Sequence, residues 1–264
     1  MPELAEVEFY RKQWAKAEGL RVSAVEVNAK KRIYRDTDTR ALVNGLEGSV
    51  LCGSSTHGKQ MSFVFGKRHW LGVHLGMTGK LRIVAEGYEK SKHDHLLLRL
   101  KNGEGLAYTD PRLFGKLLYY KGVSPPWFKG LPPEILSDEF TFRLVDTFLD
   151  RRARSPIKAV LLMQERFPGI GNWMADEILW RARIAPISHS GSLDAAQRQE
   201  LYKRICEVCN DAMRVIGSDW SRPPNSWLFN HRWKDGGICP HTGKPLKREV
   251  IGGRTTCWSP AWQK

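Results

Sequence analysis

Hydrophobic and polar positions change their spacing several times along the chain. Leu4, Val7, Tyr10, Trp14 and Leu20 fall near helical spacing, and Glu3, Glu6 and Glu8 stand where the positive end of a helix dipole favours acids. From about Val22 to Tyr120 the period shortens. Runs rich in Val, Leu, Ile and Phe, over 22–27, 61–65, 71–75, 96–100 and 117–120, alternate with Gly, Asn, Asp and Thr clusters. Repeated short strands between turn signals predict a β-sandwich or barrel. Residues 121–137 hold four prolines and two glycines and read as a linker. Helical spacing returns over about 139–150, 156–166, 173–184 and 193–216, with Pro156 suited to a helix N1 position after Ser155. The stretch 217–238 reads as loop. Two extended runs, 246–251 and 255–258, flank Gly252-Gly253 as in a hairpin.

This pattern predicts an α+β protein: an N-terminal β-sandwich with flanking helices, then a helical domain ending in a β-hairpin. The expected boundaries are 1–125 for the β-rich domain with its N-terminal helix, 126–137 for the linker, 138–217 for the helical domain, 218–238 for a loop and 239–264 for the hairpin.

Composition adds a partner. Lys and Arg number 42 against 28 Asp and Glu, a net charge of +14 over 264 residues. Residues 1–140 carry 22 basic and 16 acidic side chains, and residues 141–264 carry 20 and 12. Both halves are therefore basic, which points to a polyanion touched by each. No apolar run approaches the roughly 20 residues that span a bilayer. The early glutamates interrupt any signal-peptide core. Five cysteines in this length do not make a disulfide framework and suggest a reducing compartment, the cytoplasm with its nucleoid in a bacterium or the nucleus in a eukaryote.

Several segments carry chemistry. The chain starts Met1-Pro2-Glu3, and removal of Met1 before the small Pro2 exposes a secondary amine. An α-amine has a pKa near 8, so part of it is neutral at pH 7 and can attack an electrophilic carbon. Glu3 and Glu6 lie within a turn and can move protons; a bland helix start would also place acids there. Gly169-Ile170-Gly171-Asn172 joins two helical patterns, where free N–H groups bind phosphate or simply turn a corner, and Asn172 can cap the second helix. Met77 and Phe114 sit in Gly-bounded turns, where an apolar side chain enters a base stack or folds onto the core. Residues 222–264 hold eight basic and two acidic residues among Trp227, Trp233, Trp258 and Trp262, with Arg254 at the hairpin tip. Cys239, His241 and Cys257 are weak zinc candidates. Structural zinc takes four closed ligands, and the positions that would complete each Cys-x-x-Cys hold Thr242 and Pro260. Cys206 and Cys209 have ligand spacing but lie on a helical pattern that suits small buried side chains.

Taken in order, these motifs resemble the formamidopyrimidine-DNA glycosylase and endonuclease VIII family of base-excision repair, over nearly the whole chain. Pro2-Glu3-Leu4-Ala5-Glu6-Val7-Glu8 is similar to the family's PELPEVE, with Ala5 where Pro is usual. Gly58-Lys59, the stretch from His74 to Gly79, Lys92-His93-Asp94-His95 and the stretch from Thr109 to Gly115 follow. Ile157-Lys158, Gly169–Asn172 and Ala175-Asp176-Glu177 resemble the helix–two-turn–helix element, and Gly252-Gly253-Arg254-Thr255 the terminal finger.

The resemblance implies a bifunctional DNA glycosylase/AP lyase acting on oxidised bases through a Schiff base on Pro2, with β- and then δ-elimination. It implies damaged double-stranded DNA as partner and a monomer. It gives catalytic roles to Pro2, Glu3, Glu6 and Lys59, phosphate contacts to Lys59, His93, Lys158, Asn172 and Arg254, and filling of the vacated base position to Met77, Arg112 and Phe114. The finger keeps only two of the family's four cysteines, so no cofactor is expected and a zincless finger packed by Trp258 and Trp262 is. Leu113, where the formamidopyrimidine branch often has Arg, and the short stretch 218–230 weaken a preference for 8-oxoguanine. The alternative is a non-catalytic lesion- or structure-specific DNA-binding protein on the same scaffold.

Overall fold

The structure, a computed structural model, describes residues 1–264 and is α+β. It divides into two compact units, one of Met1–Pro2 and Glu6–Leu131, the other of Glu3–Ala5 and Pro132–Lys264. The division falls inside the expected linker. Residues 126–131 are not a free tether, because Trp127 donates its indole N–H to Ser62 Oγ at 3.0 Å.

The first unit is built on two four-stranded antiparallel sheets. One has the order β1 (Val22–Val27), β6 (Asp94–Leu100), β7 (Gly105–Thr109), β5 (Lys80–Val84). The other runs β2 (Leu51–His57), β3 (Gln60–Phe65), β4 (His69–His74), β8 (Lys116–Lys121). Side chains of both sheets share one core: Leu96, Leu98 and Tyr108 from the first meet Phe63, Phe65 and Leu71 from the second. Trp14 of helix α1 (Leu4–Ala15) is buried in the same core. The β6 sequence DHLLLRL lacks clean alternation because both its faces are covered. Leu97 packs on the outside with Val84 and Ala107.

Three strands in this unit carry little hydrophobic signal. LCGSSTH pairs with the apolar QMSFVF and GLAYT with the apolar DHLLLRL, while KLRIV sits at the sheet edge and pairs with GLAYT. Helix α2 (Thr39–Leu46) also interrupts the strand-rich region. Asp38 caps it by accepting the N–H of Arg40 and Ala41, and Leu42 and Leu46, one turn apart, are fully buried.

The second unit contains α3 (Phe142–Arg151), α4 (Ile157–Leu161), α5 (Asn172–Ala182) and α6 (Ala195–Asp219), then the hairpin of β9 (Lys247–Ile251) and β10 (Arg254–Trp258). Helix α4 is far shorter than the spacing over 156–166 predicts. After it the chain turns twice, through Met163 and Phe167, before Gly171 caps α5. Pro156 stands one position earlier than expected, as the N-cap of α4, with φ −56° and ψ 135°. Helix α6 opens with a full capping box between Asp194 and Gln197.

Candidate active site

The N-terminal segment is anchored by its first acid. Glu3 is 3% exposed, and its carboxylate accepts the backbone N–H of Gly171, Trp173 and Met174, each at 3.0 Å. A residue 168 positions away in sequence therefore satisfies the orphan donors at the start of α5. The positive end of the helix dipole and three donors favour the carboxylate ion. Gly171 is required by close approach: its φ of −123° suits any residue, but an added Cβ would lie 2.2 Å from Glu3 Cδ.

Pro2, covalently next to this anchored group, is half-buried, and Met1 is exposed. Ala5 is fully buried in the helical core with Ile170 and Trp173, so the departure from the family motif is a packing position. Glu6 lies in the first turn of α1. Burial, and after it the Glu6 charge, pushes the Tyr10 hydroxyl up to about 12.

In the β-rich unit, Gly58 and Lys59 form the two-residue turn between β2 and β3, with Gly58 at φ +56°. Lys59 is one of three cations, with Arg35 and Lys116, that depress the pKa of His74 after burial does. The neutral imidazole Nδ1 accepts the N–H of Gly76 at 3.1 Å. The turn after β4 presents Met77, 45% exposed, and the turn after β7 presents Phe114, 46% exposed. The exposed guanidinium of Arg112 lies 4.7 Å over the Phe114 ring. Leu113, between them, adopts φ +57° and packs towards the core.

His93 is half-buried, and its carbonyl accepts the N–H of Asp110 at 3.0 Å. The neighbouring Asp94 shapes the loop that carries His93. Burial alone would raise the Asp94 carboxyl, but hydrogen bonds from Thr109, Tyr88 and Ser91 outweigh it and hold it at about 2.

In the helical unit Lys158 is enclosed, and Asn172 has a partner in the hairpin. Lys158 has 0% side-chain exposure and is not presented to a phosphate. Its ammonium pairs with Asp176 and donates to Asn172 O at 2.7 Å. Asp176 Oδ2 also takes Arg232 at 2.5 Å and the N–H of Cys257 at 3.0 Å. A buried cation so enclosed serves an ion-pair network. Asn172 does not cap α5 but is its first residue, and its Nδ2 donates to Thr255 O at 2.7 Å. The hairpin is thereby tied to α5 at Asn172 and at Asp176. Arg254 is exposed at the hairpin tip.

The finger's donor set does not fit a family-type zinc. No three His, Cys, Asp or Glu side chains come together as a ligand group. Cys239 and Cys257 are buried in an apolar cluster with Trp180, Leu228, Leu246 and Trp262. Trp180 donates its indole N–H to Cys239 Sγ at 3.4 Å, and Trp262 donates to Trp180 O at 3.1 Å. His241 is exposed and rests on the Trp262 ring, with centroids 3.8 Å apart. Of the two tryptophans expected in this packing, Trp262 joins it. Trp258 instead donates to Glu249 Oε1 at 2.8 Å.

The work of Asp94, Asp110 and Asp176 is not legible in the motifs that contain them. Only the long-range partners reveal it, although an Asp inside an otherwise apolar or glycine-bounded motif is a signal that such partners exist.

Comparisons with known proteins agree over the whole chain. Residues 1–117 match the formamidopyrimidine-DNA glycosylase N-terminal domain, and residues 131–222 match the formamidopyrimidine-DNA glycosylase H2TH domain. The formamidopyrimidine-DNA glycosylase of Exiguobacterium sibiricum is 31% identical over 275 residues, covering 100% of this chain and 99% of that protein. That of Thermus thermophilus is 33% identical over 279 residues, covering 100% and 98%. Among solved structures, Lactococcus lactis Fpg (MutM) in complex with DNA containing N7-benzyl-Fapy-dG superposes with a TM-score of 0.89 at 28% identity, covering 100% of both chains. The same protein in complex with abasic-site DNA gives 0.89 at 28% identity over 99% of each.

Proposed function

The chain belongs to the formamidopyrimidine-DNA glycosylase family, and on that premise we propose that it removes damaged bases from double-stranded DNA and then cuts the strand at the resulting abasic site. The observation that carries the mechanism is the anchoring of Glu3, the residue after Pro2 in the chain, by three backbone N–H groups.

Loss of Met1 frees the prolyl amine. Its nitrogen bonds to C1′ of the lesion nucleoside, the C1′–base bond breaks, and the base leaves with that electron pair. The ammonium proton passes to the Glu3 carboxylate. Glu3 then protonates O4′, the C1′–O4′ bond opens, and an iminium, the Schiff base of a secondary amine, forms between Pro2 and C1′. The iminium acidifies the C2′ proton. Its removal, assisted by Glu3, expels the 3′ phosphate by β-elimination. A further elimination expels the 5′ phosphate, and water hydrolyses the iminium to free Pro2. Glu6 orients this segment from the first turn of α1.

Lys59, His93, Asn172 and Arg254 contact phosphates in this reading. Lys158 is assigned to its buried ion pair. Met77, Arg112 and Phe114 occupy the position left by the extruded nucleotide, with extrusion itself costing a few kcal/mol. No step is assigned to zinc in this reading, since the finger brings no three donor side chains together. Leu113 packs towards the core.

Borohydride reduction on duplex with an oxidised base or an abasic site should trap a covalent complex through Pro2. Pro2→Gly, or retention of Met1, should reduce trapping strongly. Absence of any trapped species across a panel of oxidised and abasic duplexes would sink the proposal in favour of non-catalytic binding.

A further inference from the structure

We infer that Asp110 is a positioning residue that locks the Met77 turn and the Arg112–Phe114 turn into a single wedge. The inference rests on the reading that these side chains enter the duplex.

Asp110 is 0% exposed. It is satisfied by donors from both turns. Oδ1 accepts the Thr78 hydroxyl at 2.7 Å and the N–H of Arg112 at 3.3 Å. Oδ2 accepts the N–H of Gly115 at 2.8 Å and faces the Tyr108 hydroxyl at 3.4 Å. The Asp110 carbonyl accepts His95 Nε2 at 3.0 Å, which holds the residue to β6. Thr78 follows Met77, while Arg112 and Gly115 bracket Phe114, so one carboxylate joins the bases of the two turns.

The backbones also touch. A Cβ on Gly76, whose φ is +60°, would lie 2.4 Å from Phe114 C and 2.5 Å from Gly115 N. The bases are thus pinned while the tips, Met77 and Phe114, remain about half exposed. Only a carboxylate suits the centre. It accepts at both oxygens, whereas an amide would set N–H groups against those of Gly115 or Arg112. Burying it costs desolvation that these charge-assisted bonds offset. Such a hub resists the restoring force of a base stack. A turn free to fold back alone would let the stack close and the extruded nucleotide return.

Thr78→Val removes the bond between the turns with little change of shape, and Thr78→Ser keeps it. Base excision should be measured on a lesion duplex, and strand cleavage on single-stranded abasic DNA, which has no stack to open. For Thr78→Val we expect excision kcat/KM from duplex to fall about tenfold, the scale of a lost hydrogen bond to a charged group. Cleavage of the single strand should stay at the wild-type rate, and Thr78→Ser should restore excision. A 2-aminopurine beside the lesion should also brighten less with Thr78→Val than with wild type. Asp110→Asn should give the same selective loss, and if it fails to fold Thr78→Val carries the test. Wild-type excision by Thr78→Val, or an equal fall on both DNAs, overturns the inference. Failure of the wild type to cleave either DNA counts instead against the proposed activity on which it rests.

Discussion

At the scale of single residues, the site depends on a missing side chain. Glu3 reaches the start of α5 because Gly171 has no Cβ, and the 2.2 Å approach leaves no room for one. Gly171→Ala should therefore displace Glu3 while leaving the allowed backbone angles of position 171 unchanged. Misplacing a catalytic group by about 1 Å costs on the order of 100-fold in rate. We expect a fall of that size in borohydride trapping rate on an abasic duplex, with the thermal transition of the folded protein retained. Wild-type trapping by Gly171→Ala would show that the contact does not position Glu3. The motif Gly169–Asn172 is legible in sequence as a helix start with free N–H groups. That an acid from the other end of the chain fills it is not legible, because no local pattern encodes a partner 168 residues distant.

At the scale of elements, the finger shows how a hairpin keeps its place without a family-type donor set. Trp262 covers Cys239, Cys257 and Leu246, its indole N–H bonds Trp180 O, and Arg183 lies 3.8 Å over its ring. Trp262→Ala removes a half-buried indole and should destabilise by about 2 kcal/mol, less than the 3–5 kcal/mol of a fully buried Trp. In a protein of this size that lowers Tm by about 4–8 °C, and calorimetry would measure it. Amides of β9 and β10 should lose hydrogen-exchange protection, whereas an unchanged Tm would assign the hairpin's stability elsewhere. The two unmatched finger positions, Thr242 and Pro260, are legible in sequence as the absence of a complete Cys set. Which tryptophan replaces the packing is not, since Trp258 and Trp262 lie close in sequence and only the direction of the hairpin separates them.

At the scale of the molecule, the +14 charge is distributed between exposed and buried cations, and only the exposed ones meet solvent anions. Arg254 is exposed at the hairpin tip, whereas Lys158 is enclosed with Asp176 and Arg232. A phosphate contact releases counterions and contributes about 0.9 to the slope of log affinity against log salt. Arg254→Ala should thus lower that slope by about one in a lesion-duplex binding titration. Lys158→Met should leave the slope unchanged and act on stability, because it strips a partner from a buried carboxylate. A slope lowered equally by Lys158→Met would mean that the ammonium reaches phosphate after all.

Fold class and family were legible in the chain alone. Those depend on local spacing and on motifs whose order survives in one dimension. Pro2 and Glu3, the residues of the proposed chemistry, were legible too, because that chemistry depends on their being neighbours in the chain. Tertiary structure alone decided the weak strands β2, β5 and β7, which are stabilised by their partners rather than by their own pattern. It withdrew Lys158 from the surface and turned Asn172 towards the hairpin. It also gave Asp94, Asp110 and Asp176 their partners. A buried charge is settled by the donors that converge on it from distant segments, and convergence in space has no trace in the order of residues.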